Sequence, residues 1–147
     1  MPDRYLQRRI TCHCHQPQHP LTGVQDIDAG YSHSLAMPNP LLANSTVKAW
    51  GDNSVGQLGN GSTGGASGTP AAVVNLTGAR AISAGGNHSL GHLSGGTLRA
   101  WGGNNAGQLH NGSTIDSGTP VTVRTGIGIG IGTSTRIAAG GDCNLAA

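Results

Sequence analysis

Phenylalanine is absent from the 147 residues, and aromatic side chains make up only 3%. Large aliphatics are thin too: Leu, Ile and Val together number 27. That share sits just under the roughly one-fifth below which a highly charged chain stays disordered. Charge is scarce as well, at 10% Asp, Glu, Lys and Arg with a formal net charge of +2. A solvated tail needs more charge and a helical bundle more Leu, Glu and Lys, so neither class fits. The longest apolar run is four residues, Ala71 to Val74, against the ~20 of a membrane helix. No membrane partner is expected.

Other absences narrow the function classes. The first ten residues carry Arg4, Arg8 and Arg9 with no apolar stretch behind them, which predicts no secretory signal and makes the cytoplasm the default compartment. Basic residues do not cluster beyond Arg8-Arg9, so no nucleic-acid surface is evident. Of the three cysteines, Cys12 and Cys14 are too close in sequence to staple a fold, which excludes a disulfide framework.

Turn-forming residues are plentiful, with 26 Gly and 7 Pro, and the rest of the chain is organised as a repeat. The segment from Trp50 to Thr63 lies over that from Trp101 to Thr114 at an offset of 51, with ten of fourteen positions identical. Ser67-Gly-Thr-Pro70 matches Ser117-Gly-Thr-Pro120, and Ala29-Gly-Tyr-Ser-His33-Ser34-Leu35 matches Ala84-Gly-Gly-Asn-His88-Ser89-Leu90. A looser third copy runs from Ala139 to Leu145, with Cys143-Asn144 where His-Ser is expected. The three Ala-Gly landmarks are 55 residues apart, but the segments between them differ in length. Two insertions account for that, Met37 to Asn44 and Gly126 to Gly132, both between landmarks where loops tolerate extra residues.

Each unit reads as short strands. Thr46 to Trp50 and Thr97 to Trp101 alternate in period two; His33 to Met37 and His88 to Leu93 supply a second strand. Ala71 to Val74 and Val121 to Val123 follow a Thr-Pro pair, predicting a strand that starts at the proline. Ala79 to Ser83 and Arg136 to Ala139 run into the landmark. Four short strands in about 51 residues predict an all-β chain of β-propeller blades, one four-stranded antiparallel blade per repeat.

The strings His-Ser-Leu, Ala-Trp-Gly, Asn-x-x-Gly-Gln-Leu and Gly-Ser-Thr, with Thr-Pro, resemble the repeat of the regulator of chromosome condensation family. The resemblance spans about residues 24–147, roughly two and a half partly degenerate repeats, and leaves residues 1–23 as an unstructured leader. It implies a propeller, usually of seven blades, that serves as a rigid binding platform. Seven units would need roughly 360 residues, so the chain reads as part of a longer array. The best-known member exchanges guanine nucleotide on a small GTPase while bound to chromatin, and some secreted relatives inhibit β-lactamases. The resemblance therefore implies a non-enzymatic module that binds an unknown protein through propeller loops. Guanine-nucleotide exchange on a small GTPase is a less favoured alternative, and inhibition of a hydrolase by a secreted protein a third.

A blade buries both faces against its neighbours, so a partial propeller leaves apolar faces and sheet edges open. Two routes follow: a homo-oligomer that closes the ring, or a marginal, partly ordered monomer. The insertions weigh towards the monomer.

The recurring residues His33, Ser34, Leu35, Trp50, Gly51, Gly56, Gln57 and Leu58, with His88, Ser89, Leu90, Trp101, Gly102, Gly107, Gln108 and Leu109, form the structural repeat motif. His and Ser arrive with the repeat and no carboxylate recurs beside them, which points to backbone satisfaction between strands and not to a triad. Trp50 and Trp101 read as blade anchors, and Gln57 and Gln108 as hydrogen-bonders between turns. No catalytic residue and no cofactor is expected. Cys12-His13-Cys14-His15 carries zinc-type ligands, but alternation along an extended chain sends the thiols and imidazoles to opposite sides, so no metal is expected there. Gly126 to Gly132 lacks the Lys-Ser/Thr of a phosphate loop. At His110 the repeat has its glycine replaced, at a position that calls for a positive φ or a close backbone approach.

Overall fold

A computed structural model describes residues 21–41, 45–124 and 136–146. Strands β1 (Val24–Ala29), β2 (His33–Pro38), β3 (Lys48–Asp52) and β4 (Ala66–Ala72) form one four-stranded sheet in sequence order. A second sheet repeats it with β5 (Ala79–Ala84), β6 (His88–Leu93), β7 (Leu98–Gly102) and β8 (Ser117–Thr122). A third unit contributes the pair β9 (Ile137–Ala139) and β10 (Asn144–Ala146). All pairings are antiparallel. The first strands of the three units lie side by side, β1 against β5 and β5 against β9. No helix among the described residues is long and apolar enough to cross a membrane.

The two sheets match register for register. Ser34 faces Trp50 across β2 and β3, as Ser89 faces Trp101 across β6 and β7. The first insertion begins inside β2, where Met37 and Pro38 pair with Asp26 and Val24 in the same register as His92 and Leu93 with Ala81 and Ala79. Of its described part only Asn39 to Leu41 lie beyond β2; residues 42–44 and the whole second insertion lie outside the described residues, as do residues 1–20 with Cys12 to His15.

Pro70 and Pro120 correct the expected strand starts. The fourth strands begin four and three residues before the prolines, at Ala66 and Ser117. Between the pairs Ala49↔Ala71 and Gly51↔Ser67 the ladder shifts, leaving Gly68, Thr69 and Pro70 opposite Trp50 alone. The same bulge places Gly118, Thr119 and Pro120 opposite Trp101. Ser67 Oγ and Ser117 Oγ each donate 2.7 Å to the carbonyl of the second residue on, holding the bulge closed. A bulge on an outer strand is a place where proline's missing N–H breaks no ladder bond.

The core lies between sheets. One cluster joins Leu35, Met37, Val47, Ala49 and Leu58 of the first unit to Ile82, Ala84 and Trp101 of the second. A second joins Leu90, Ala100 and Leu109 to Ile137 and Ala139 of the third. Strands β2 and β6 are consequently buried on both faces, and period-two alternation vanishes there. A single unit has no interior of its own; burial begins when two units meet.

Candidate functional site

The recurring polar residues converge on the seams between units. His33 Nε2 lies 2.8 Å from Ser89 Oγ in the next unit. Ser89 Oγ in turn donates 2.9 Å back to the carbonyl of Gln57, and Trp101 Nε1 donates 3.0 Å to that same oxygen. Ser89 has one proton and gives it to Gln57, so His33 must donate to Ser89. That assigns the Nε2–H tautomer and leaves Nδ1 bare. Nδ1 is buried without a partner and sits over Gly30, where an added Cβ would come within 2.6 Å of it and closer still to Cε1. The glycine of the Ala-Gly landmark is thus the seat of the imidazole, and Gly85 seats His88 in the same way.

The seam to the third unit repeats the relay with a different residue. His88 Nε2 lies 2.6 Å from Asn144 Oδ1, and Asn144 Nδ2 donates to the Gln108 carbonyl. An amide accepts at one atom and donates at the other, so it replaces the hydroxyl without reversing the relay. Burial, and then the neighbouring His88, push the pKa of His33 down to about 4. Burial likewise lowers that of His88, against the opposing hydrogen bond from Asn144. Both imidazoles stay neutral at physiological pH.

This polarity settles what the His-Ser pair can do chemically. A nucleophilic serine needs an imidazole that accepts its proton. Here the imidazole donates and the hydroxyl proton is bound to a carbonyl. The arrangement joins blades.

The remaining motif residues are placed as follows. Gly51, Gly56, Gly102 and Gly107 all adopt positive φ. Gln57 Oε1 accepts from the Val55 amide and its Nε2 donates 2.7 Å to Asp52, while Gln108 Nε2 reaches both Asn105 and, in the third unit, Asp142. Hydrogen bonds from Ser54 and Gln57 outweigh the effect of burial and hold the Asp52 carboxyl below its ordinary range. Leu35 and Leu58 pack in the first cluster, Leu90 and Leu109 in the second. Ser34 and Trp50 are buried, but neither Ser34 Oγ nor Trp50 Nε1 has a hydrogen-bond partner. Gly59 and His110 occupy the same repeat position with φ of +61 and +46. At Gly59 a Cβ would press on the Trp101 indole at 2.7 Å, so there the next unit's tryptophan requires glycine.

Sequence reasoning assigned no role to three elements of these seams, although it had Asn-x-x-Gly-Gln-Leu and the Ala-Gly landmark in view. Asn53 and Asn104, 3% and 0% exposed, staple the Gly-Gln-Leu turns from inside. Asn104 Oδ1 accepts from the Leu109 amide at 2.9 Å, and its Nδ2 donates to the carbonyls of Ser113 and Ile115 at 2.9 and 3.0 Å. Asn53 does the same with Leu58 and Ser62. Recurrence of Asn at the offset of 51 was the available signal. Asn104→Ala should lower stability by about 2–3 kcal/mol in urea titration, because three main-chain groups lose their partner at once; a loss below about 0.5 kcal/mol would refute the staple. The second element is the Ala-Gly seat. The third is Asp28, whose Oδ2 accepts from Ser83 Oγ at 3.0 Å and the Ala84 amide at 2.8 Å, while Ser83 Oγ accepts from the Ala139 amide at 3.0 Å.

No group of three or more His, Cys, Asp or Glu among the described residues is placed to hold a metal ion. Residues 46–91 and 79–108 both match the family described as Regulator of chromosome condensation (RCC1) repeat. This chain carries two such repeats. Among curated proteins it is 40% identical over 88 residues to the human probable E3 ubiquitin-protein ligase HERC6, covering 58% of this chain and 8% of that protein. It is 35% identical over 103 residues to human HERC3, also named a probable E3 ubiquitin-protein ligase, covering 69% of this chain and 9% of that one. Prp20p of Saccharomyces cerevisiae, crystallised in work on its binding to Gsp1p and histones, superposes with a TM-score of 0.68 at 18% identity. Human WBSCR16 superposes with a TM-score of 0.67 at 22% identity. Both superpositions cover 84% of this chain and 30% of the other. The regulator of chromosome condensation repeats here therefore adopt the family's blade fold as part of a propeller, and they span under a tenth of the curated relatives.

Proposed function

We propose that the chain is a non-enzymatic module that binds other proteins through its blade loops. One observation carries this reading: the recurring polar groups of His33, Gln57, His88, Ser89 and Gln108 are engaged in joining unit to unit, so recognition falls to exposed residues that do not recur. Tyr31 is foremost among them. It is 75% exposed, yet its ring lies over Gly86 of the second unit and its hydroxyl reaches Gly141 of the third. An aromatic side chain held across three units on a glycine floor is a preformed anchor for a partner surface.

The partner of first choice is a small GTPase, with nucleotide exchange as the second, narrower reading. Support comes from the fold neighbours: Prp20p was studied for its binding to Gsp1p and histones and was also crystallised with Kap60. Purified chain would be titrated against a small GTPase, nucleotide-free and loaded with a fluorescent nucleotide. Saturable binding that weakens about tenfold or more in Tyr31→Ala is the expected result. Accelerated nucleotide release would establish exchange as well. Absence of binding to either form would sink the GTPase reading, and binding indifferent to Tyr31 would sink the surface.

A further inference from the structure

The string Asn-Gly-Ser-Thr occurs twice, as Asn60-Gly61-Ser62-Thr63 and Asn111-Gly112-Ser113-Thr114, at the same place in the first two units. Asparagine followed by glycine is chemically labile, because no side chain hinders the glycine amide from reaching the asparagine Cγ. The two copies share their local chemistry. Both glycines have positive φ, +90 and +83. Asn60 Oδ1 accepts from the Ser62 amide at 3.1 Å and from Asn53 Nδ2 at 3.4 Å. Asn111 Oδ1 accepts from the Ser113 amide at 3.0 Å and from Asn104 Nδ2 at 3.3 Å. Asn60 Oδ1 receives Ser62 Oγ as well, at 2.8 Å. Both side-chain carbonyls are thereby polarised for attack.

The glycine amides differ. Gly61 N donates 3.0 Å to the Gly118 carbonyl, on the bulge of the second unit. An amide whose proton is bound in this way is the weaker acid and is not free to turn onto Cγ. Gly112 N gives its proton to no acceptor among the described residues. Arg124 lies against Gly112 instead, with Nη1 3.2 Å from where a Cβ would stand. In the first unit Val74 takes the place of Arg124: its amide donates to the Gly59 carbonyl as that of Arg124 donates to His110. Nothing lies within 4 Å of a Cβ at Gly61. A permanently charged guanidinium favours both the deprotonated glycine amide and the oxyanion that forms at Cγ. We propose that Asn111 is a site of spontaneous deamidation, and that the seam with the second unit keeps Asn60 intact.

The step needs only water. Gly112 N loses its proton to solvent and bonds to Cγ of Asn111. The Cγ–Nδ2 bond breaks, and Nδ2 takes up a proton and leaves as ammonia. Water then opens the succinimide that remains. Cleavage at Cγ gives aspartate; cleavage at the main-chain carbonyl gives isoaspartate, which routes the backbone through the side chain. Either product puts a new carboxylate beside Arg124, in the loop that Asn104 staples through Ser113 and Ile115.

Peptide mapping by mass spectrometry, on the full folded chain kept in warm, mildly alkaline buffer, tests the proposal. The Asn111 peptide should gain about 1 Da and divide into two chromatographic forms. It should convert about tenfold or more faster than the Asn60 peptide of the same sample. Identical following residues make the urea-unfolded chain the control, in which both sites convert at similar rates. Arg124→Gln should slow Asn111 several-fold and leave Asn60 alone. Gly118→Ala puts a Cβ 2.6 Å from the Ser62 carbonyl, lifting Gly61 off its acceptor, and should speed Asn60 with Asn111 unchanged. Equal rates at the two sites of the folded chain overturn the proposal. So does an Asn111 that stays intact while the unfolded chain converts.

Discussion

Trp101→Ala is expected to destabilise the chain by about 4–5 kcal/mol, the largest effect of any single substitution considered. Two losses combine. The indole is fully buried in the cluster that joins the first two units, so its removal opens a cavity at the seam. Its Nε1 also gives one of the two hydrogen bonds that hold the Gln57 carbonyl. Small domains are stable by roughly 5–15 kcal/mol, so the variant should be at or near the edge of folding at 25 °C. Urea titration followed by circular dichroism measures the total. Trp101→Phe separates the parts: it keeps most of the apolar contact and loses only the hydrogen bond and some volume, at about 1–2 kcal/mol. If Trp101→Ala cost no more than Trp101→Phe, the indole would not be the anchor between units. The second tryptophan, Trp50, remains as a fluorescent reporter in both variants.

Acidification is expected to cost about 3 kcal/mol through His33 alone. A histidine in the unfolded chain takes up its proton near pH 6.5, whereas His33 in the folded chain does so only near about 4. Between those values the unfolded state binds a proton that the folded state refuses. Stability is therefore full above pH 6.5, falls as the pH drops, and has lost this contribution completely below pH 4. The cause is concrete: protonated His33 would carry a second N–H at Nδ1, buried over Gly30 with nothing to receive it. His88, lowered in the same direction, adds to the slope. Urea midpoints at pH 7.5 and 4.5 measure the loss. His33→Gln retains an N–H donor for Ser89 and cannot titrate, so its pH dependence should be clearly shallower. An unchanged slope in His33→Gln would show that the acid sensitivity arises elsewhere.

The repeat and its strands were legible because they rest on local signals. Identity at ten of fourteen positions at one offset cannot come from composition, and alternation around Ala49 and Ala100 marked the third strand of each unit. The fourth strand was placed too late because proline was read as a strand opener. Pairing of Ser67 with Gly51, and the bulge that follows, cannot be seen without the partner strand. The seams were harder still. His33 and Ser89 are 56 residues apart, and the corresponding bond of His88 goes to an asparagine. Substitution of Ser by Asn looks like decay in a sequence, although it preserves an acceptor and a donor in the same order. Cys143, in the place of the third histidine, is a true loss: a thiol there brings no ring N–H to start a further relay.

Each relay starts at the earlier unit's imidazole, passes through a side chain of the later unit, and ends on a main-chain oxygen of the earlier unit. That final acceptor is indifferent to mutation, since every residue has a carbonyl, while the later unit's position takes any side chain that both accepts from the imidazole and donates onward. This lopsidedness bears on how such a gene can grow. A unit copied in tandem next to itself is already bonded to its duplicate, before any substitution has been selected at the new junction. Lengthening or shortening by whole units then leaves every surviving junction intact.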